Sequence, residues 1–190
     1  GARMCAGLLR TPEEWKAHPH AQALAMLLPL EIIRIGDAPP EPLPAGDRPL
    51  AGVRAVELTH VIAGPVCGRT LAEHGADVMR VTAPGRPSME SLVQDMGRGK
   101  LSAYLDLHQA SDAERLRCLA RGADIFSQGY RPGTIAARGF SPEDVARLRP
   151  GIVYVTLSAF GHEGPWRDRR GFDSLVQTVT GIAAEGGRAR

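Results

Sequence analysis

Cysteine is scarce in this sequence of 190 residues. The three cysteines, Cys5, Cys67 and Cys118, are odd in number and show no C-x-x-C spacing. This distribution argues against a disulfide framework and against a zinc site. We therefore expect a reducing compartment and predict no bound metal.

Long hydrophobic runs are also absent. No apolar stretch approaches the roughly 18 residues that a membrane-spanning helix needs, and the N-terminus lacks the apolar core of a signal peptide. The sequence therefore predicts a cytoplasmic protein without a membrane partner.

Neither charge sign is in large excess. There are 23 basic and 21 acidic side chains, for a net charge of +2, so bulk electrostatics gives no reason to expect nucleic acid binding. The basic residues are almost all arginine, and Lys100 stands out because lysine otherwise occurs only at position 16. The stretch from Thr59 to Gly68 contains neither a G-x-G-x-x-G fingerprint nor a P-loop, which argues against ordinary NAD and ATP sites.

Apolar runs of strand length alternate with helix-like segments along most of the chain. Strands are predicted near 53–58, 77–82, 102–107, 123–127 and 152–158, and helices over 66–74, 112–121, 142–148 and from Asp173 onward. Ser111-x-x-Glu114 and Ser141-Pro-Glu-Asp144 have the form of capping boxes. The alternation predicts an α/β fold, a mostly parallel Rossmann-like sheet with helices on both faces.

A small helical and extended N-terminal segment, residues 1–35, precedes this pattern. Thr11 and the proline after it predict a helix start, a second helix is predicted over 21–28, and Leu30–Ile35 alternates like a strand. Residues 36–48 are rich in proline and predict a stiff linker, so a separate domain is expected over 49–190. Two interpretations of the segment stay open: the end of a preceding domain, or an extension that packs on the sheet.

The stretch Gly52–Val81 predicts a strand, a helix and a parallel strand, and ligands of such units bind at the carboxyl ends of the strands. Four blocks in the order Gly52–Val81, Gly97–Leu107, Gln128–Gly133 and Ser158–Asp173 resemble the family III CoA-transferases, also called the CaiB/BaiF family. That family includes the α-methylacyl-CoA racemases. The resemblance covers about residues 49–181.

The resemblance implies an enzyme that moves CoA from an acyl-CoA to a free carboxylic acid through an aspartyl-CoA intermediate. In the family, the nucleophilic aspartate lies in a Gly-Asp motif further along the chain than Arg190. We therefore expect these residues to be the N-terminal, CoA-binding half of such an enzyme. The implied partners are acyl-CoA, a carboxylic acid, and either a second copy in a homodimer or a complementing chain.

The resemblance also implies which residues contact CoA. Arg98 and Lys100 suit phosphates, Tyr130 an adenine ring, and the loop after the first strand the pantetheine arm; the full set is Val61, Ile62, Ala63, Arg80, Arg98, Lys100, Tyr130 and Arg131. A solvated basic turn is the alternative for Gly97–Lys100. The alternative for Tyr130 is a turn that holds the ring in the core.

Asp173 is the candidate catalytic carboxylate within the chain, and capping of the following helix is its favoured alternative. Racemase-like members carry a histidine as proton base where this sequence has Phe172, which has no proton to exchange. A racemase or epimerase is therefore disfavoured but stays an alternative, as does a non-catalytic CoA-binding or partner-completing subunit.

Overall fold

A parallel sheet forms the centre of the chain. The structure, a computed structural model, describes residues 5–85 and 89–188. Five strands lie in the order β3-β2-β1-β4-β5, and every neighbouring pair is parallel. Their bounds are β1 (Arg54–Leu58), β2 (Asp77–Thr82), β3 (Lys100–Tyr104), β4 (Ile125–Gln128) and β5 (Val153–Thr156).

Helices connect the strands and flank them in sequence. They are α1 (Pro12–Lys16), α2 (Pro19–Leu24), α3 (Ala63–Glu73), α4 (Glu90–Met96), α5 (Ala110–Arg121), α6 (Pro142–Leu148), α7 (Asp173–Thr180) and α8 (Ile182–Arg188), with a 3₁₀ turn at Ala136–Arg138. Over the ranges 5–85 and 89–188, none of these helices has the length and apolar character needed to cross a bilayer.

Alternate residues of β1 face opposite sides of the sheet, as the period of a strand requires. Val56 and Leu58 pack in one core cluster with Leu116 of α5 and residues of α6. Ala55 lies in the other cluster, together with Ala72 of α3. Helices therefore cover both faces, and the predicted α/β class is confirmed.

The chain divides into two compact units. The second unit, residues 34–157, contains the whole sheet, and the first combines residues 5–33 with 158–188. In the first unit, Nε2 of the fully buried His20 donates to the Phe160 carbonyl at 2.8 Å. Nδ1 accepts the Trp166 N–H at 3.1 Å, so this pairing defines a neutral ring with its proton on Nε2. The N-terminal segment thus holds the glycine-rich loop that follows β5.

One predicted strand is absent, and the helix between β2 and β3 was not predicted. The strand predicted over Leu30–Ile35 is wrong: these residues form no ladder, and Leu30 and Ile32 are 74% and 92% exposed. Strand-like alternation forms a strand only where a neighbouring strand offers hydrogen bonds. Helix α4 was not predicted, and it supplies the crossover from β2 to β3.

Within the second unit, the proline-rich segment 36–48 has no regular secondary structure, but it is tied to the sheet end. Arg149 donates to both carboxylate oxygens of Glu41, at 2.8 and 2.6 Å, and also to Asp124 at 3.1 Å. The hydrogen bonds from Arg149 hold the pKa of Glu41 below its ordinary value.

The two predicted capping boxes have opposite outcomes. Ser141 caps α6, accepting the Asp144 N–H at 3.1 Å while Asp144 accepts the Ser141 N–H at 3.0 Å. The Ser111 prediction is wrong because α5 begins at Ala110 and its N-cap residue is Gln109, two residues before Ser111. Asp112 there closes the preceding turn by accepting the Asp106 N–H at 2.9 Å.

We expect Ser141→Ala to lower the free energy of unfolding by about 1 kcal/mol, because the Asp144 N–H loses its cap. Ser111→Ala is the matched control: it removes an exposed helical hydroxyl that caps nothing and should leave stability within about 0.5 kcal/mol. Urea unfolding followed by circular dichroism measures both. Equal losses in the two variants would contradict the assigned cap.

Candidate functional site

The loop after β1 has an unusual backbone. Val61 has φ of 70° and is the one non-glycine residue with positive φ among residues 5–85 and 89–188. That region is unfavourable for a β-branched side chain, and such strain persists where the surroundings enforce it. The loop leads into α3, and Val61, Ile62 and Ala63 are all exposed. The predicted pantetheine-lining residues thus form an exposed apolar surface at the carboxyl end of β1.

The loop after β4 lies beside it. Gln128, at the end of β4, is buried; its Oε1 accepts the Tyr130 N–H at 2.8 Å and its Nε2 donates to Thr156 Oγ1 at 2.6 Å. These bonds fix the turn. The His60 ring meets the Tyr130 ring edge-on, with centroids 5.7 Å apart. The carboxyl ends of β1 and β4 are therefore joined by a pair of aromatic rings.

Tyr130 and Arg131 differ in burial. Tyr130 is half-buried and packs against the core cluster that contains Val56. The core therefore holds one part of the ring, as the alternative expected, and the rest is accessible. Arg131 is exposed. A half-buried ring with a cation beside it, at the carboxyl edge of a parallel sheet, is suited to stack on a base and meet a phosphate.

Three other predicted residues line a single cavity of about 270 Å³. Arg80, Arg98 and Lys100 border it, together with Val93, Gln94, Gly97, Leu101 and Ser102. Arg98 is 72% exposed and lies 3.6 Å from an Asp95 oxygen. Because Gly97–Gly99 precede β3 and Lys100 is its first residue, this part of the cavity is at the amino end of a parallel strand, opposite the end where the β1 and β4 loops emerge. The structure therefore separates the predicted binding residues into two groups.

The predicted contact of Lys100 with a CoA phosphate does not fit its position. Lys100 Nζ donates to Glu57 Oε2 and to the Pro65 carbonyl, both at 2.7 Å. The Lys100 and Glu57 side chains are each 1% exposed. A phosphate contact would require this buried pair to break and leave a carboxylate without its partner. The alternative for Gly97–Lys100, a solvated basic turn, is also wrong at Lys100, because this side chain is buried.

Burial also shifts the pKa values of Glu57 and of the nearby Cys67. Loss of water around Glu57 raises its pKa above the ordinary 4.5, although hydrogen bonding and attraction to Lys100 oppose the change. Burial likewise raises the pKa of Cys67 above its ordinary value, and the charge of Glu57 adds to this effect. Cys67 is therefore a neutral thiol near neutral pH rather than an activated nucleophile.

Sequence reasoning missed the role of Glu57. The available signal was an acid inside an apolar strand, since such a residue is buried only when it is paired. Gly68 was a second signal, because it interrupts a helix. A Cβ built on Gly68 would overlap Glu57 Oε2, and Lys100 Nζ would lie only 3.1 Å from it.

Asp173 lies in the first unit and is exposed at the first position of α7. The capping alternative is wrong: Phe172 is the N-cap residue, and its side chain makes no cap. Asp173 Oδ2 instead accepts a hydrogen bond from Gln177 Nε2 at 2.7 Å.

In the parts of the chain that the structure describes, no cluster of three or more histidine, cysteine or acidic side chains is placed to hold a metal. Arginine side chains and aromatic rings among the described residues can bind phosphates and a base, and a carboxylate can act as a nucleophile.

Comparison with known proteins gives the same family for most of the chain. Residues 50–190 match the sequence profile of CoA-transferase family III. The acetyl-coenzyme A transferase nodX of Hypoxylon pulicicidum is 42% identical over 146 residues, which are 75% of this chain and 25% of that protein. The human α-methylacyl-CoA racemase is 35% identical over 140 residues, 74% of this chain and 36% of that protein.

A solved structure supports the relationship. The CaiB/BaiF family protein from Brucella suis superposes with a TM-score of 0.66 at 30% identity, covering 72% of this chain and 40% of that one. The chain spans a quarter to two fifths of the length of these relatives. The profile match covers well over half of the sequence, and the chain belongs to CoA-transferase family III.

Proposed function

We propose that this chain is the CoA-binding half of an enzyme that moves CoA from an acyl-CoA to a free carboxylic acid. The observation that carries the proposal is the pairing of two loops at the carboxyl ends of adjacent strands. The strained Val61 loop and the Tyr130 turn are linked there by the His60–Tyr130 ring contact. Family membership adds CoA as the ligand.

Each predicted CoA-binding residue except Lys100 then has a proposed role. Val61, Ile62 and Ala63 line the path of the pantetheine arm with apolar surface. Tyr130 packs on the adenine ring, and Arg131 meets a phosphate through its planar guanidinium. Arg80 and Arg98 are the candidates for a second phosphate contact, through the cavity that they share.

The transfer needs a nucleophilic carboxylate. Attack on the acyl-CoA thioester forms a mixed anhydride and releases CoA as a thiolate. The thiolate then attacks the enzyme carbonyl of the anhydride, which gives an aspartyl thioester and frees the first acid. The acceptor carboxylate repeats the two steps in reverse and leaves as the new acyl-CoA. We propose that the attacking aspartate lies outside residues 1–190, with Asp173 as the candidate inside them.

Two other functions are alternatives to CoA transfer. The racemase relative favours proton exchange next to the thioester, but Phe172, 54% exposed at the start of α7, has no exchangeable ring proton. A non-catalytic CoA-binding or partner-completing subunit is the second alternative. In that case a homodimer partner or a complementing chain would supply the carboxylate.

The binding proposal is tested by calorimetry with CoA. We expect Arg131→Ala to weaken binding about tenfold, the effect of losing one charge-assisted hydrogen bond. Arg115→Ala is the control: it removes the same charge from an exposed position on α5, where Arg115 pairs with Asp112. No measurable CoA binding by the unaltered chain, or equal affinities in the two variants, would overturn the assignment.

The reaction class is tested on the longer protein that would contain this chain. Incubation with an acyl-CoA, an acceptor acid and hydroxylamine should trap the enzyme-bound mixed anhydride or CoA thioester as a hydroxamate of the enzyme carboxylate, while the α-proton of the substrate is retained. Exchange of that proton with deuterated solvent, without CoA transfer, would instead favour the racemase. Binding without either reaction would favour the subunit.

A further inference from the structure

The Glu57–Lys100 pair joins three elements rather than two. Glu57 lies in β1 and Lys100 opens β3. The second hydrogen bond of the ammonium, to the Pro65 carbonyl at 2.7 Å, reaches the first turn of α3. Lys100 therefore ties the start of this helix to the sheet, four residues after the strained Val61.

Gly68 leaves the space that the Glu57–Lys100 pair occupies beside α3. Gly68 is buried in the interior of α3, and a side chain there would occupy the space of the Glu57 carboxylate. Glycine weakens a helix interior. The close approach of helix to carboxylate thus comes at the expense of local helix stability.

Stability alone does not explain the pair. Removing two charges from water costs about as much as their attraction returns, and well-packed apolar residues often serve a core equally well. Buried pairs are best attested where they select one arrangement of the elements that they join. Here the arrangement concerns Pro65, which lies in the first turn of α3, two residues after the exposed stretch Val61–Ala63.

The loop also needs an external constraint. No side chain caps the N-terminus of α3, because the N-cap residue is Ile62. Val61 holds a positive φ that a valine does not adopt without support. The hydrogen bond from Lys100 to Pro65 fixes the backbone on the helical side of this strained residue.

We propose that Glu57 and Lys100 are positioning residues that hold the first turn of α3, and through it the loop Val61–Ala63, in the conformation that receives the pantetheine arm of CoA. This inference rests on the proposed function. A loop that is already held in its bound conformation loses less conformational entropy when CoA binds, so the affinity is higher. The nucleotide end of CoA, at Tyr130 and Arg131, would not depend on the pair.

The test compares two ligands by calorimetry: CoA, and adenosine 3′,5′-bisphosphate, which lacks the pantetheine arm. The full chain carries Glu57→Gln together with Lys100→Met, a neutral pair of similar volume, and thermal unfolding verifies that it folds. We expect CoA affinity to fall about tenfold while affinity for the bisphosphate stays within about twofold, since only contacts of the arm are lost.

A second variant keeps the pair intact and avoids any loss of folding. Val61→Gly frees the exposed loop, because glycine tolerates the positive φ and many other conformations. It should also weaken CoA about fivefold or more without changing bisphosphate binding. Unchanged CoA affinity in Val61→Gly, or in a folded pair variant, would overturn the inference. Failure of the unaltered chain to bind either ligand would instead overturn the proposed function.

Discussion

Replacing Lys100 by methionine is expected to lower the free energy of unfolding by about 3–5 kcal/mol at pH 8, because it leaves a buried carboxylate without its partner. Glu57 and Lys100 are each 1% exposed, so water does not replace the lost ammonium. Lys16→Met is the matched control. Lys16 is the other lysine of the chain and is exposed, and its replacement should change stability by less than about 0.5 kcal/mol.

The loss of stability in Lys100→Met should increase as the pH rises. Burial already raises the pKa of Glu57 above 4.5, and Lys100 opposes the rise, so removing Lys100 raises the pKa further. The folded state then keeps a proton that the unfolded state has released, and stability is lost as pH rises through the folded pKa. The deficit of Lys100→Met should therefore be smaller at pH 5 than at pH 8.

Urea unfolding at both pH values measures this prediction. Adding Glu57→Gln to Lys100→Met removes the titrating carboxyl, so it should recover part of the stability and abolish the extra pH dependence. A Lys100→Met variant as stable as Lys16→Met at pH 8 would contradict the buried pair.

Replacing Gly68 by alanine is expected to cost about 1–3 kcal/mol, the range for an overpacked core. An alanine Cβ would overlap Glu57 Oε2 and crowd Lys100 Nζ at 3.1 Å. The carboxylate cannot move aside without giving up its hydrogen bond to Lys100. Alanine favours helices over glycine by up to about 1 kcal/mol, so any net loss understates the steric effect.

Gly186→Ala provides the comparison. Gly186 also lies within a helix, α8, and a Cβ there meets no atom within 4 Å. This variant should be neutral or slightly more stable, because only the helix preference of alanine acts. Chemical unfolding of both variants separates the two effects. Equal stability changes would show that the Gly68 site accepts a side chain.

The hydrophobic periodicity of the sequence was sufficient to predict most of the helices and strands. The predicted strand over 77–82 matches β2, and the predicted helix over 142–148 matches α6. Both lie in segments where local pattern and burial agree, as is typical of a consistent sequence. The helix predicted over 112–121 was right in type but began two residues late, because Gln109 rather than Ser111 is the N-cap residue of α5.

The candidate site was predictable only in part. The loops after β1 and β4 were expected at the carboxyl edge because parallel topology requires it, but the His60–Tyr130 contact depends on which strands are neighbours. Asp173 shows the same limit. Its position at a helix start was predicted, yet the residue that occupies the N-cap is Phe172.

The sequence by itself determined the alternation of strands and helices, the parallel sheet and the family, because these depend on local periodicity and on motifs in order. Only the tertiary structure decided the role of Lys100. A cation beside glycines has the same local pattern whether it meets solvent or a buried acid. Its partner Glu57 is 43 residues away, and the pair forms because the β2 strand and the α3 helix between them bring β1 and β3 within reach of one side chain.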